Sequence, residues 1–344
     1  MKISSILFSI SILIGSQSLA QKPLKVPEKT LPIPTTVSPQ MQKLIGAPYR
    51  TDWDVLPQTG EQWKVIADSD AKAAQKTLPE LAKLMKVKVE PIIIEGVRAY
   101  MITPETIAPH NNNRILINMH GGCYVLNARE AGLPEAVMLA GFGGYKVVAV
   151  DYRMPPEAFY PGALDDGMKV WKALLKTNKP ENIGIFGTSA GGALTLAMVL
   201  KAKSENIPMP GAIASGTPMS DVTKTGDTFY TNELVDNILV SRDGFCDAGT
   251  KVYANGHSLE DPLLSPVYGD LTGFPPTILT SGTRDLLLSN TVRVHRKLRQ
   301  AKVETALHVY EGQSHAHYLF DVNAPETKEV FTEIADFLDK YMGQ

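Results

Sequence analysis

Gly187-Thr188-Ser189-Ala190-Gly191 lies between an apolar run, Ile183-Gly184-Ile185-Phe186, and a small-residue stretch, Gly192-Ala193-Leu194-Thr195-Leu196-Ala197. That order predicts a strand, a sharp bend and a helix. A Gly-x-Ser-x-Gly bend in this setting makes Ser189 a candidate nucleophile. Its flanking glycines allow a strained backbone and close packing of helix on strand. The hydroxyl would project from the carboxyl edge of a sheet, beside a helix amino terminus whose free N–H groups and positive dipole end favour an oxyanion. A serine hydroxyl is a poor nucleophile at neutral pH. It needs a base to take its proton, and the base needs an orienting partner.

Seven histidines could serve as that base: His110, His120, His257, His295, His308, His315 and His317. His295 and His308 fall within helix and strand patterns, His257 in a stretch without strands, and His110 in a polar loop. His315 and His317 follow the last apolar run, Ala306-Leu307-His308-Val309-Tyr310, where a base should stand. Asp285 follows the run Thr277 to Leu279 through Ser281-Gly282-Thr283-Arg284, which puts it on the same edge as Ser189. It is a candidate acid, or alternatively a cap for the helix that follows. Asp321 comes after both histidines, out of the order serine, acid, histidine. His120-Gly121-Gly122 follows the run Ile115 to Ile117, and glycines there let backbone N–H groups approach a ligand closely.

The elements that must hold these groups are read from apolar periodicity. Ile92-Ile93-Ile94, Gly96 and Val97 to Ile102 predict an antiparallel pair. The runs at 115–117, 147–150, 183–186, 212–214 and 277–279 are continuous and short, as buried parallel strands are. Helical spacing joins Leu164, Met168, Trp171 and Leu175; Val292, His295 and Leu298; and Val330, Ile334, Phe337 and Tyr341. Alternating strand and helix predict an α/β class: a mostly parallel central sheet with helices on both faces. Residues from about 38 to 88 read as helical, with Met41, Leu44 and Ile45 on one face and Leu78, Leu81, Ala82 and Met85 on another. Residues 219–261 show no strand, only helical patches near Leu234-Val235 and Phe245, and are expected to cover the carboxyl edge of the sheet together with the early helices.

Five ordered segments resemble the motifs of the hormone-sensitive-lipase-like family of α/β-hydrolases. They are His120-Gly121-Gly122-Cys123-Tyr124, Asp151-Tyr152-Arg153-Met154-Pro155-Pro156-Glu157, Gly187 to Gly192, Gly282-Thr283-Arg284-Asp285 and Gly312-Gln313-Ser314-His315. Thr188 places the chain nearest the family's Gly-Thr-Ser-Ala-Gly subgroup of bacterial esterases. The resemblance implies an α/β-hydrolase fold with a helical cap. It implies Ser189 as nucleophile, His315 as base and Asp285 as orienting acid, with oxyanion donors from the backbone of Gly122, Cys123 and Ala190. His120 and Gly121 would then shape the supporting loop, and Asp151 to Glu157 would brace it. The implied activity is serine carboxylesterase action on short- to medium-chain esters through an acyl-enzyme. A lactone hydrolase with the same triad is the nearest alternative, and a non-catalytic ligand-binding protein on the same fold is a second.

The family usually has glycine where Cys123 stands. The thiol is expected to pack as a small apolar side chain, with Cys123→Gly keeping most activity, although pairing with Cys246, the only other cysteine, stays open. Lys2, the apolar stretch Ile3 to Gly15 and Ser18-Leu19-Ala20 read as a secretory signal over residues 1–20. A proline-rich leader (21–40), cap helices (41–90), a catalytic domain (91–218 and 262–344) and a cap insertion (219–261) would follow. The expected location is therefore periplasmic or secreted, with no membrane span after cleavage. A net charge of −2 and a pI near 6.4 give no reason to expect a nucleic-acid partner. A small ester or lactone is the expected partner, with a homodimer possible; no metal and no organic cofactor are implied.

Overall fold

A computed structural model of the protein describes residues 23–343, so the secretory-signal segment lies outside the described residues. Pro23 to Pro32 belong to a separate unit and are exposed, without helix or strand. The rest is one compact unit from Ile33 onward. Its elements run α1 (Pro39–Ile45), α2 (Gly60–Leu84), β1 (Val87–Ile94), β2 (Val97–Pro104), β3 (Ile115–Met119), α3 (Pro134–Gly143), β4 (Lys146–Val150), α4 (Gly162–Leu174), β5 (Ile183–Thr188), α5 (Ala190–Ser204), β6 (Ala212–Gly216), α6 (Thr228–Thr231), α7 (Phe245–Ala254), β7 (Thr277–Gly282), α8 (Leu288–Gln300), β8 (Thr305–Tyr310) and α9 (Pro325–Tyr341).

The strands form one sheet in the order β1-β2-β4-β3-β5-β6-β7-β8. β1, β2 and β4 pair antiparallel, and every pair from β4 through to β8 is parallel. Pro91, which lacks an N–H to donate, is tolerated because β1 is an edge strand bonded only to β2. β3, β5, β6 and β7 are buried along their whole length, which is why they read as continuous apolar runs.

Side-chain alternation divides the core between the two faces. Ile115, Ile117, Met119, Ile183 and Ile185 pack with α4, α5 and α8 on one face. Leu116, Val147, Ala149, Phe186 and Ile278 pack with α3 and α9 on the other. The strand order reverses between β3 and β5, and at such a switch point a crevice opens outside the carboxyl ends of the strands. The candidate oxyanion loop leaves β3 there, and the Ser189 turn leaves β5.

Several expectations are corrected. The early helical stretch is two helices separated by non-helical chain over 46–59, and α1 begins at Pro39, inside the expected leader. The capping box of Thr59 and Gln62 starts α2, and β1 already begins at Val87. In 219–261 the first helix is Thr228–Thr231, while Leu234-Val235 is a turn with Leu234 at φ 62°. In α8 the buried apolar residues are Val294 and Leu298; Val292 is exposed, because the amphipathic stripe lies one step away from the spacing inferred.

Candidate active site

Ser189 joins β5 to α5 at φ 64° and ψ −122°, outside the regions that L-residues favour. Neighbouring backbone holds the strained turn. Its N–H donates to Gly216 O at 2.9 Å, and its carbonyl accepts from Met219 N at 3.0 Å and Ala193 N at 3.0 Å. The turn also lies against the end of β3: a Cβ on Gly191 would sit 1.9 Å from Met119 O, so only glycine fits. Ala190, the first residue of α5, is buried directly behind the serine.

His315 and Asp285 come from the loops after β8 and β7 and are both buried. His315 Nδ1 lies 3.1 Å from Asp285 Oδ1, so Nδ1–H donates to the carboxylate and Nε2 is left as the basic nitrogen. The other carboxylate oxygen accepts the hydroxyls of Ser281 (2.7 Å) and Thr217, and the N–H of Leu287 is held by Oδ1 at 2.8 Å. Burial alone would push the Asp285 carboxyl up, but the His315 charge and these hydrogen bonds outweigh it and hold it below its ordinary value. Burial likewise would push His315 down, and the Asp285 carboxylate, its hydrogen bond and the charge of Asp236 outweigh that and raise it.

His317, the rival base, is committed elsewhere. Its Nδ1 accepts the N–H of Ser314 at 3.1 Å, and its Nε2 meets Asn237 Oδ1 at 2.8 Å. Burial pushes it down to about 4. Thr217 was missed in the sequence. It sits at φ 32° after β6, with its hydroxyl oxygen 3.0 Å from His315 Nδ1 as well as bonded to Asp285. A threonine two residues before a methionine carries no local signal of that role.

The loop after β3 turns through Gly122 (φ 107°), Cys123 (φ 53°) and Tyr124 (φ 65°). Gly122 O caps it by accepting from Val125 N at 3.0 Å and Leu126 N at 2.8 Å. His120 stacks on Tyr152 at 4.0 Å between centroids, its Nδ1–H donates to Gly121 O at 2.7 Å, and Tyr152 OH donates to His120 O at 2.8 Å. His120 is therefore a loop brace, and burial pushes its imidazole below the ordinary value. Arg98 binds both Asp151 and Glu157, fixing the segment that carries Tyr152.

Cys123 is not a free packed thiol. It forms a disulfide with Cys246 of α7, with the Cα atoms 5.2 Å apart. The expectation of simple packing fails because two segments 123 residues apart meet in the fold, which sequence spacing does not reveal.

Ser189, His315, Gly121, Gly122 and Cys123 line one cleft of about 1200 Å³, including its part open to solvent. Leu126, Ile238, Leu239, Phe245, Leu319 and Phe320 give it apolar walls, and Arg50 and Asp70 also line it. Glu135 of α3 lines it too. It accepts the Thr188 hydroxyl at 2.6 Å, and burial pushes its carboxyl up to about 7 against that bond. The arrangement can deprotonate a serine hydroxyl, hold the resulting imidazolium beside a carboxylate, and offer backbone N–H groups to an oxyanion.

Residues 116–319 match the family described as alpha/beta hydrolase fold. An esterase of Acinetobacter venetianus is 31% identical over 77% of this chain and 88% of its own length. An acetyl-hydrolase of Streptomyces hygroscopicus is 25% identical over 70% of this chain and 81% of its own. Among solved structures, an esterase superposes with a TM-score of 0.89 at 41% identity, covering 93% of this chain and 99% of that one. An esterase from the bacterial hormone-sensitive lipase family gives 0.74 at 25% identity, covering 89% and 99%.

Proposed function

The chain belongs to the α/β-hydrolase family, in its hormone-sensitive-lipase-like branch, and on that footing we propose that it is an exported serine carboxylesterase acting through Ser189, His315 and Asp285. The observation that carries the reading is the strained Ser189 turn sharing one cleft with His315, whose far nitrogen is fixed by Asp285.

His315 Nε2 takes the hydroxyl proton as Ser189 Oγ attacks the ester carbonyl. The carbonyl π pair moves onto oxygen, and the backbone N–H groups of Gly122, Cys123 and Ala190 are assigned to receive that oxyanion. Asp285 steadies the imidazolium without taking its proton. Collapse of the intermediate breaks the C–O bond to the alcohol, which leaves with the proton from Nε2. Water then attacks the acyl-enzyme, giving its proton to His315. The second collapse releases the acid and returns that proton to Ser189. The apolar walls that Ile238, Leu239 and Phe245 give the cleft suit short- to medium-chain acyl groups.

The test is hydrolysis of p-nitrophenyl esters from acetate to palmitate, with γ-lactones alongside, by wild type and Ser189→Ala. Turnover peaking at short to medium chains and lost in the variant supports the reading. Unchanged turnover in the variant refutes the mechanism, and activity confined to lactones would move the assignment to the ring-opening alternative. Export is supported by the signal-like residues 1–20 and by the disulfide, which suits an oxidising compartment. Amino-terminal sequencing of protein recovered from a bacterial periplasm or medium should begin near Gln21; a start at Met1 would refute export by cleavage.

A further inference from the structure

The acid and the base of the proposed mechanism sit in separate loops, and one carboxylate from outside the sheet binds both. Asp236 lies between α6 and α7 and is fully buried. Its Oδ1 accepts the N–H groups of Ile238 (2.9 Å) and Leu239 (3.1 Å). Its Oδ2 accepts the N–H of Leu286, the residue after Asp285, at 2.8 Å, and the N–H of His315 itself at 3.2 Å. The same turn adds further ties. Asn232 Nδ2 donates to Asp285 O at 2.8 Å, and Asn237 N–H donates to Ser314 Oγ at 3.3 Å. Asn237 Nδ2 donates in the other direction, to Leu44 O (2.8 Å) at α1 and Ala47 O (2.9 Å) beyond it.

We propose that the turn over residues 232–239 is a clasp that sets the Asp285–His315 pair from the covering side of the cleft, with Asp236 as its positioning residue. The inference rests on the Ser189–His315–Asp285 reading. A buried carboxylate beside another carboxylate is unfavourable unless N–H donors compensate it, and Asp236 has four. Those donors belong to its own turn, the acid loop and the base loop, so a shift of the turn moves all three together. The charge also acts on the base. The groups facing His315 are Asp285 from the loop after β7, Asp236 from the clasp and neutral His317 from its own loop, with Arg284 nearby acting on His317. Asp236 and Asp285 both favour the imidazolium. Burial and Asp285 push Asp236 up to about 6, so it is an anion at neutral pH and above.

The experiment compares full-length wild type with Asp236→Asn, Asp236→Glu and Asn232→Ala. It follows p-nitrophenyl butyrate hydrolysis from pH 5.5 to 9, with thermal unfolding and disulfide content measured on each protein. Asp236→Asn should lower kcat, on the order of a hundredfold at most, with KM nearly unchanged. Its acid limb of kcat/KM should move to lower pH, because one charge that favours the imidazolium is gone. Asp236→Glu should keep the limb in place, and Asn232→Ala should lower kcat without moving it. Wild-type kcat and limb in folded Asp236→Asn would overturn the clasp. If that variant does not fold, wild-type kcat in Asn232→Ala does the same. His315→Gln separates the two claims. If it keeps turnover, the triad reading fails and the clasp with it; if it is inactive beside an unaffected Asp236→Asn, only the clasp fails.

Discussion

The turn that carries Ser189 and the loop that carries Gly122 and Cys123 line the same cleft, and both hold backbone at positive φ: 64° at Ser189, 107° at Gly122 and 53° at Cys123. They are held differently. The serine turn is fixed by its immediate surroundings: β5 pairs with β3 and β6, α5 begins at the next residue, and Gly216 and Met219 bond the serine backbone. The loop after β3 is fixed from a distance. Cys123 is bonded to Cys246, Tyr124 stacks on Tyr253 at 4.4 Å, and Tyr152 holds His120 O. Strain at a functional site persists only where the surroundings over-determine it. Here the sheet does so on one side, and α7, through a covalent bond, on the other.

The comparison fails most visibly if the sheet-held side is not the chemical side. His315→Gln should reduce kcat on the order of a millionfold, as loss of the base does in a serine protease, while binding persists. Residual turnover within tenfold of wild type, measured by steady-state ester hydrolysis, would contradict it. Asp285→Asn should cost less, on the order of ten-thousandfold, since it removes the orienting acid but leaves Nε2 in the cleft. A pH–rate profile belongs with that measurement. Wild-type activity should fall on the acid side as His315 gains its proton, and because Asp285 and Asp236 hold its pKa above the ordinary value that fall should begin at higher pH than for a free imidazole.

The side held by α7 predicts a different pattern. Cys246→Ser should lower stability by up to about 5 kcal/mol, since the bond closes a loop of 123 residues. It should lower kcat by less than the hundredfold or so that loss of one oxyanion donor costs. Differential scanning calorimetry with kinetics on the same sample separates the two effects. An unchanged Tm would show that the loop is held without the disulfide. The expectation that Cys123→Gly keeps most activity is joined by an expected loss of stability: glycine suits φ 53°, but the tie to α7 is lost.

The smallest effect concerns Glu135 behind the serine turn. Its folded pKa is pushed up to about 7 from an ordinary value of 4.5, so the folded protein holds a proton the unfolded chain has lost. Stability from this group is therefore full below about pH 4.5 and declines as pH rises through 7, by about 3 kcal/mol in all. Glu135→Gln should flatten that part of the Tm-against-pH curve, and a curve parallel to wild type would refute the assignment.

What was legible in the sequence follows the same division. Buried parallel strands announce themselves as continuous apolar runs, and the Gly187–Gly191 and His120–Gly122 segments are local by nature, so the sheet and the loops leaving it could be read. Asp285 and His315 lie in the loops after β7 and β8, which periodicity locates, while the preference for His315 over His317 rests on the motif resemblance. The disulfide, Thr217 and Asp236 act through partners 123, 68 and 79 residues away. Nothing in their immediate neighbours marks those pairings. The Leu234-Val235 patch departs from its helical pattern for a related reason: the side chain of Asp236 accepts the N–H groups of Ile238 and Leu239 and makes the stretch a turn.

The most direct test of the account is covalent trapping with a p-nitrophenyl alkylphosphonate, followed by intact mass and peptide mapping. One phosphonyl group per chain is expected, on Ser189, with activity lost in step with labelling and no label on Ser189→Ala. Inactivation with the label on another residue, or full turnover after Ser189 is blocked, would contradict it.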